Sequence, residues 1–369
     1  MRTKRTKNII SRLFYCYYKK SLILTLAQNK NKPDAIKNKH YDTIYTFIFL
    51  TIDIDFEIYT RLLVAQEKIL MKYLILALLI VCVYTIHRRG KERYPFWRQL
   101  SDHSTFFAPL NVFMYLFSAV PNTPYLELKN FPELEVLRQN WQVIREEGLK
   151  LLDAQQIKAS NNYDDAGFNS FFRTGWKRFY LKWYTSHHPS ATTLCPKTTA
   201  LLKTLPCVKA AMFAELPDKS RLPRHRDPYA GSLRYHLGLM TPNSERCFIN
   251  VDSKRYYWRD GEAVLFDETY IHYAENTSGQ NRLILFCDIE RRLKYRWAQR
   301  FNQAVGRYLM SAATAPNDSS DPIGGVNRIF KYVYWIRRVG KRIKKWNKPI
   351  YYLIKWLVFG GIAYVTFVL

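Results

Sequence analysis

Apolar and polar positions follow several periods along this chain, and each period predicts a different kind of element. From Val208 onward, short runs rich in Val, Ile, Leu, Phe and Tyr stand between Gly, Pro, Asn, Asp and Ser. That punctuation predicts β-strands over 208–215, 232–241, 247–251, 254–258, 262–266 and 282–289. Successive side chains of a strand point to opposite faces. Arg234 and His236 therefore share one face of their strand, and Leu233, Tyr235 and Leu237 share the other. A polar inner face and an apolar outer face describe the wall of a barrel. On the last strand Arg282 shares a face with Ile284 and Phe286. Cations on inward faces are costly unless an anion neutralises them.

A helical period appears elsewhere. Over 132–154, Leu134, Leu137, Trp141, Ile144, Leu149 and Leu152 recur mostly at three- and four-residue steps, which predicts one amphipathic helix. A further helical segment is expected after Arg292, to about Met310, followed by the polar linker APNDSSDPIGG. The stretch 328–348, RIFKYVYWIRRVGKRIKKWNK, is basic and amphipathic, the pattern of a helix that lies on a membrane surface. The stretch 161–184 interleaves aromatics with Arg173, Lys177, Arg178 and Lys182. It reads as one strand with a buried face, and alternatively as a surface for nucleic acid or a phosphorylated sugar. His187 and His188 follow it, and adjacent histidines point apart in extended chain, so neither is taken as a ligand.

Uninterrupted apolar runs mark both ends. Met71 and Lys72 open the run YLILALLIVCVYTI, which a basic cluster at Arg88, Arg89, Lys91 and Arg93 follows. A cleaved signal peptide would need a small-residue site there, and none follows, so 71–90 reads as an N-terminal anchor. Residues 350–369 form a second apolar run, broken only by Lys355. Basic residues beside both runs place the intervening domain in the cytoplasm. Residues 1–70 show little period, and we read Met71 as a functional start with 1–70 as an upstream extension, a real N-terminal module being the alternative. The segment 105–120 is apolar but interrupted by Pro109 and Asn111, and reads equally as an interfacial segment and as a core-packing helix.

Composition narrows the partners. The chain has 369 residues and a formal net charge of +27, which implies an anionic surface as partner. The six cysteines, Cys16, Cys82, Cys195, Cys207, Cys247 and Cys287, form no C-x-x-C pair, which excludes a zinc knuckle or a dithiol redox motif. Cys82 in its apolar run and Cys287 in its apolar strand read as reduced packing residues in a reducing compartment.

The chemistry concentrates in two stretches. The first, LPRHRDPYAGSLRYHLGL, holds His225, Asp227, Arg234 and His236. In extended backbone, H-x-D turns His225 and Asp227 to one side and Arg226 to the other. An H-x-D pair is a weak signal alone, and an Asp before Pro228 is also an ordinary turn residue. The second stretch, GEAVLFDETYIHYAENTSGQNRLILFCDIERR, puts His272 in a short loop and Arg282 ten residues later at the head of an apolar strand. Two histidines and a carboxylate leave open positions on a metal, the ligand set of non-haem Fe(II) oxygenases. An arginine offers the planar fork of donors that suits a carboxylate.

Together these stretches resemble the aspartyl/asparaginyl β-hydroxylase family of Fe(II)/2-oxoglutarate dioxygenases, and within it the bacterial lipid A 2-hydroxylases. The R-x-H-L-G-L element from Arg234 to Leu239 is the most specific part. The resemblance implies a mainly β catalytic domain over 125–293, a double-stranded β-helix or jelly roll, with flanking helices and an anchor at each end. Residues 91–124 would then be juxtamembrane, and 294–348 helical and membrane-surface. It implies that His225, Asp227 and His272 bind Fe(II), and that Arg234, His236 and Arg282 bind the cosubstrate 2-oxoglutarate, with O2 as oxidant. The eukaryotic peptide hydroxylases of the family have Gly in place of Asp227, which favours the bacterial branch. Their upstream cosubstrate serine has no clear counterpart around Phe213 to Glu215. The activity implied is hydroxylation of a lipid A acyl chain at carbon 2 on the cytoplasmic face of a bacterial inner membrane. No nucleic-acid partner is expected. Peptidyl aspartyl/asparaginyl β-hydroxylation and a non-enzymatic scaffold are the rival readings.

Overall fold

The computed structural model describes residues 39–160 and 164–367 and divides the chain into two units, Met1–Tyr73 and Leu74–Leu369. The part of the upstream extension before residue 39, with Cys16, lies outside the described residues. In the first unit, the described residues are helical, as the start of α1, Lys39–Arg88. Residues 39–70 were expected to lack a period, and their helicity is a correction. Polar residues such as Thr60, Arg61 and Gln66 fall on different sides of this helix, so the sequence has no one-sided pattern to read. Among the described residues, two helices are long and apolar enough to cross a membrane, Tyr59–Arg88 within α1 and Lys348–Thr366.

In the second unit, two antiparallel sheets form the core. Among the described residues, eleven strands contribute: β1 Tyr125–Leu126, β2 Lys177–Trp183, β3 Ser186–His187, β4 Val208–Leu216, β5 Ser220–His225, β6 Ser232–Met240, β7 Cys247–Val251, β8 Lys254–Tyr257, β9 Ala263–Phe266, β10 His272–Asn276 and β11 Arg282–Glu290. The larger sheet has the order β1-β9-β6-β11-β4-β2-β3, and the smaller β5-β10-β7-β8. This is the expected double-stranded β-helix. The inner core joins Met212, Phe286 and Phe266 of the large sheet to Ile249, Val251 and Ala274 of the small one. The outer face of the large sheet packs Phe213, Leu237 and Leu285 against Leu134, Leu137, Ile144 and Leu202. Both faces of β11 are thus covered, which is why its sequence reads as a nearly continuous apolar run.

The flanking helices are α2 Ala108–Leu116, α3 Trp141–Asp153, α4 Pro196–Lys203, α5 Arg296–Val305, α6 Gly325–Trp346 and α7 Lys348–Phe367. The single helix expected over 132–154 is broken. A short helix, Glu135–Gln139, precedes α3, and Asn140 leaves the helical region and caps Val136 O through its Nδ2–H at 2.8 Å. The strand expected over 161–184 is likewise a correction. A helical turn, Asn169–Phe172, precedes β2, and Gly175 at φ +94° makes the corner between them. Residues 161–163 of that stretch lie outside the described residues. In α2, Met114 packs against Tyr229, Ala230, Leu293 and Ala298, while Leu116 stays exposed, so 105–120 joins a packed face to an open one. The five described cysteines are free thiols.

The end of α1 is tied to the barrel. Arg226, on the far side of its strand from His225, donates to Ile86 O in the last turn of α1 at 3.2 Å, where a cation is favoured. Arg89 and Arg291 both pair with the buried Asp267, at 2.7 and 2.5 Å. The Arg89 guanidinium also lies 3.9 Å from the Tyr115 ring and 3.8 Å from that of Tyr270. Burial pushes the Asp267 carboxyl up, but the two guanidiniums outweigh it and hold the group far below the usual range.

Candidate metal and cosubstrate site

Strand pairing brings the two chemical stretches together. His272 was expected in a loop, but it opens β10, directly opposite His225 on antiparallel β5. The imidazole centroids are 4.2 Å apart. One ligand atom from each of His225, Asp227 and His272 lies within 4.8 Å of the others. His225 donates through Nδ1–H to Pro223 O at 2.6 Å, and His272 through Nδ1–H to Tyr270 O at 3.0 Å. A carbonyl only accepts, so each ring carries its proton on Nδ1 and keeps an Nε2 lone pair for a metal. The Asp227 backbone N–H is anchored to Glu268 O at 2.9 Å, and its Oδ1 stands 3.7 Å from His225 Nε2. Burial pushes Asp227 up, and Arg234 with the two imidazoles pulls it below its ordinary value. Burial lowers both histidines, His272 to about 3, so the rings are neutral and the carboxyl ionised at neutral pH. Neutral imidazoles beside a carboxylate are the protonation states that a divalent cation needs.

Arg234 and His236 point inward from β6, and Arg282 from β11. Their surroundings differ sharply. Arg234 forms ion pairs with Asp227 at 2.7 Å, Asp288 at 3.0 Å and Glu268. Its charge is already balanced by the chain, contrary to the expectation that an external anion must neutralise it. Three carboxyls share one cation, and burial with mutual repulsion pushes Glu268 well up and Asp288 up. Arg282 is 1% exposed and makes no salt bridge among the described residues. Its Nε has no partner, and its guanidinium lies 4.2 Å from the Trp258 ring. Burial, only partly countered by Cys247 and Glu215, lowers it to about 10. Both ring nitrogens of the buried His236 also lack partners. The site thus contains an uncompensated guanidinium and an unpartnered imidazole, a set that fits a carboxylate.

One cavity of about 30 Å³ touches all six of these residues, and the rest of its lining is apolar, including Phe168, Phe171, Trp176, Leu222 and Phe286. Phe171 packs on the His225 ring at 4.6 Å. The inner face of β4 presents Met212, Ala214 and Leu216, so no hydroxyl faces the cavity from that strand. Gly238 has a steric role, since a Cβ there would sit 2.1 Å from Arg259 O. Sequence reasoning missed Trp258, Glu268, Asp288 and the Phe168–Trp176 wall. Asp288 had a readable signal, because it shares a strand face with Arg282, Ile284 and Phe286.

Residues 138–292 match the family described as Aspartyl/Asparaginyl beta-hydroxylase. The chain is 31% identical over 180 residues to the ornithine lipid ester-linked acyl 2-hydroxylase of Rhizobium tropici, covering 48% of this chain and 64% of that protein. It is 28% identical over 172 residues to human aspartyl/asparaginyl beta-hydroxylase, covering 45% of this chain and 21% of the relative. The chain therefore spans less than two thirds of either relative. Among solved structures, a Pseudomonas putida prolyl-4-hydroxylase is similar at 15% identity and a TM-score of 0.30, over 42% of this chain and 87% of that one. The family match encloses both histidines and the carboxylate of the metal-ligand cluster, together with Arg234, His236 and Arg282. Over residues 138–292, less than half of its length, the chain matches the aspartyl/asparaginyl β-hydroxylase family.

Proposed function

We propose that this protein is an Fe(II)- and 2-oxoglutarate-dependent dioxygenase that hydroxylates carbon 2 of a membrane-lipid acyl chain, with lipid A or a related anionic glycolipid as substrate. One observation carries the reading: a single cavity holds the His225, Asp227 and His272 cluster and a buried, uncompensated Arg282. In this reading the two imidazoles and the Asp227 carboxylate hold Fe(II), and the far carboxylate of 2-oxoglutarate pairs with Arg282 beside His236. Bound iron with 2-oxoglutarate and O2 supplies an oxidant able to attack an unactivated C–H bond, which acid–base groups alone cannot do.

The chain's own residues do the remaining work. Pro223 and Tyr270 carbonyls fix the ring orientation of the two histidines. Arg234 holds one oxygen of Asp227 and leaves the other turned toward His225. Phe168, Phe171 and Trp176 exclude water and offer an acyl chain an apolar wall. The basic residues after α1 and along α6 support an orientation with the domain on the cytoplasmic side of an inner membrane, anchored by residues 71–90 and 349–369. The name of the Rhizobium relative supports an acyl substrate, and that of the human relative supports an aspartyl or asparaginyl residue as the second reading. The apolar lining favours the first.

Mass spectrometry of lipids from cells with and without the gene tests this. The expected result is one added oxygen on an acyl chain of lipid A or a related lipid, with succinate formed stoichiometrically by purified protein. An unchanged lipid profile, with an oxygen added to an aspartyl or asparaginyl peptide instead, would overturn it.

A further inference from the structure

An aromatic and basic face lies on the outside of the catalytic domain, away from the residues lining the cavity. Trp297 and Phe301, one helical turn apart on α5, are 55% and 44% exposed. Phe117, just past the end of α2, stacks edge-on against Trp297 at 5.0 Å, and Phe113 of α2 does so against Phe301 at 4.9 Å. Tyr295 and Leu116 extend the same patch and are also exposed. The patch is rigid, since the Lys294 N–H donates to Phe117 O at 2.8 Å and the buried Ala298 and Asn302 fix α5 from below. Isolated apolar residues are normal on a surface, but a connected aromatic patch marks a contact site.

Two observations identify what covers it. The first is charge. Lys294, Arg296, Arg300 and Arg307 are exposed around the aromatics and form no ion pair among the described residues, and no Asp or Glu occurs over 291–317. The second is continuity. The other side of α2 packs Ala108 and Val112 against Cys82 and Ile86, in the last turns of the apolar Tyr59–Arg88 helix. The patch therefore begins where a helix fit to cross a membrane ends. Aromatic rings at the level of the headgroups, ringed by cations, are the chemistry of an interfacial contact with anionic lipid.

We infer that α5, with the C-terminal end of α2, docks the domain on an anionic bilayer surface, seating Trp297 and Phe301 among the headgroups. The inference rests on the membrane reading of the α1 helix given above. It adds that the domain is held flat on the bilayer by a second contact, so that it does not swing from its anchors.

The test uses the full chain in proteoliposomes of phosphatidylglycerol with or without bromine in its acyl chains. The Trp297 signal is the difference between the protein and W297F, because the other eight tryptophans cancel. Docking predicts that brominated lipid quenches this difference by at least about half, and that R296E/R300E restores it. A Trp297 signal equal in the two kinds of vesicle would overturn the inference. So would quenching that persists in R296E/R300E. Loss of a dimer in W297S/F301S would overturn it too, by showing that a second copy covers the patch. Lipid A is included in the same vesicles with Fe(II), 2-oxoglutarate and O2 supplied, and its oxidation is followed, which separates the two readings. A quenched Trp297 without lipid hydroxylation sinks the substrate proposal and leaves docking standing, and the reverse result sinks docking alone.

Discussion

Two arginines in one cavity, Arg234 and Arg282, are both almost fully buried and both point inward from neighbouring strands, yet they have opposite surroundings. Arg234 is crowded by Asp227, Glu268 and Asp288, and its charge is used up inside the protein. Arg282 faces the indole of Trp258 and forms no ion pair with a carboxylate among the described residues. Burial makes an isolated charge costly at both positions, so the proposal gives Arg234 a structural part and leaves Arg282 for a ligand. In the proposed reading, the end of the cavity near Asp227 takes the metal and the end near Arg282 takes an anion.

The largest effect comes from emptying the metal end. His272→Ala and Asp227→Ala each remove a ligand from a three-ligand set. Iron content measured on the purified protein and lipid hydroxylation should both fall to background, while circular dichroism stays unchanged. Full turnover in either variant would remove that residue from the ligand set.

Next comes Arg234→Met, which leaves three carboxyls sharing a site with no cation. Removing one partner of a buried ion cluster costs about 3–5 kcal/mol. A marked fall in Tm is expected, with the Michaelis constant for 2-oxoglutarate unchanged in whatever protein folds. A selective rise in that constant, with Tm intact, would mean that Arg234 binds cosubstrate after all. Arg282→Met makes the mirror-image prediction. No carboxylate is orphaned, so Tm should hold. Hydrogen bonds to a charged partner contribute about 1.5–3 kcal/mol, so the Michaelis constant for 2-oxoglutarate should rise roughly ten- to hundredfold. An unchanged constant would break the comparison at its second half.

Much of this was legible in the sequence, for identifiable reasons. The strands from Val208 onward follow from turn residues between apolar runs, and alternation put Arg234 and His236 on one inner face. Local pattern carries that information. It does not carry partner identity. Nothing in the sequence shows that Glu268 and Asp288 meet Arg234, because the contact depends on β6 lying between β9 and β11. For the same reason His272 read as a loop residue. Its strand is only five residues long and carries polar residues at three of them, and only pairing with β5 and β7 makes it a strand. The break at Asn140 was hidden by an apolar period that runs on through it.

The smallest effect, and the finest test of the contrast, belongs to His236, which sits between the two arginines on the same inner face. Burial, then Arg234 and Arg282, hold its pKa well below the ordinary histidine value. A depressed folded pKa means that the unfolded chain binds more protons. The stability linked to His236 is therefore present above the unfolded pKa of about 6.5 and is lost as pH falls toward the folded value. One such group contributes a slope of at most about 1.4 kcal/mol per pH unit. His236→Phe keeps the ring among Phe266 and Phe286 and removes the titration. Thermal melts of the iron-free protein between neutral pH and pH 5 should fall less steeply for His236→Phe than for the parent. Adding succinate, which brings two carboxylates to the cavity, should flatten the parent's acid slope by giving the protonated ring a partner, and should do so in Arg234→Met but not in Arg282→Met. Equal flattening in both arginine variants would mean that the anion does not sit at the Arg282 end.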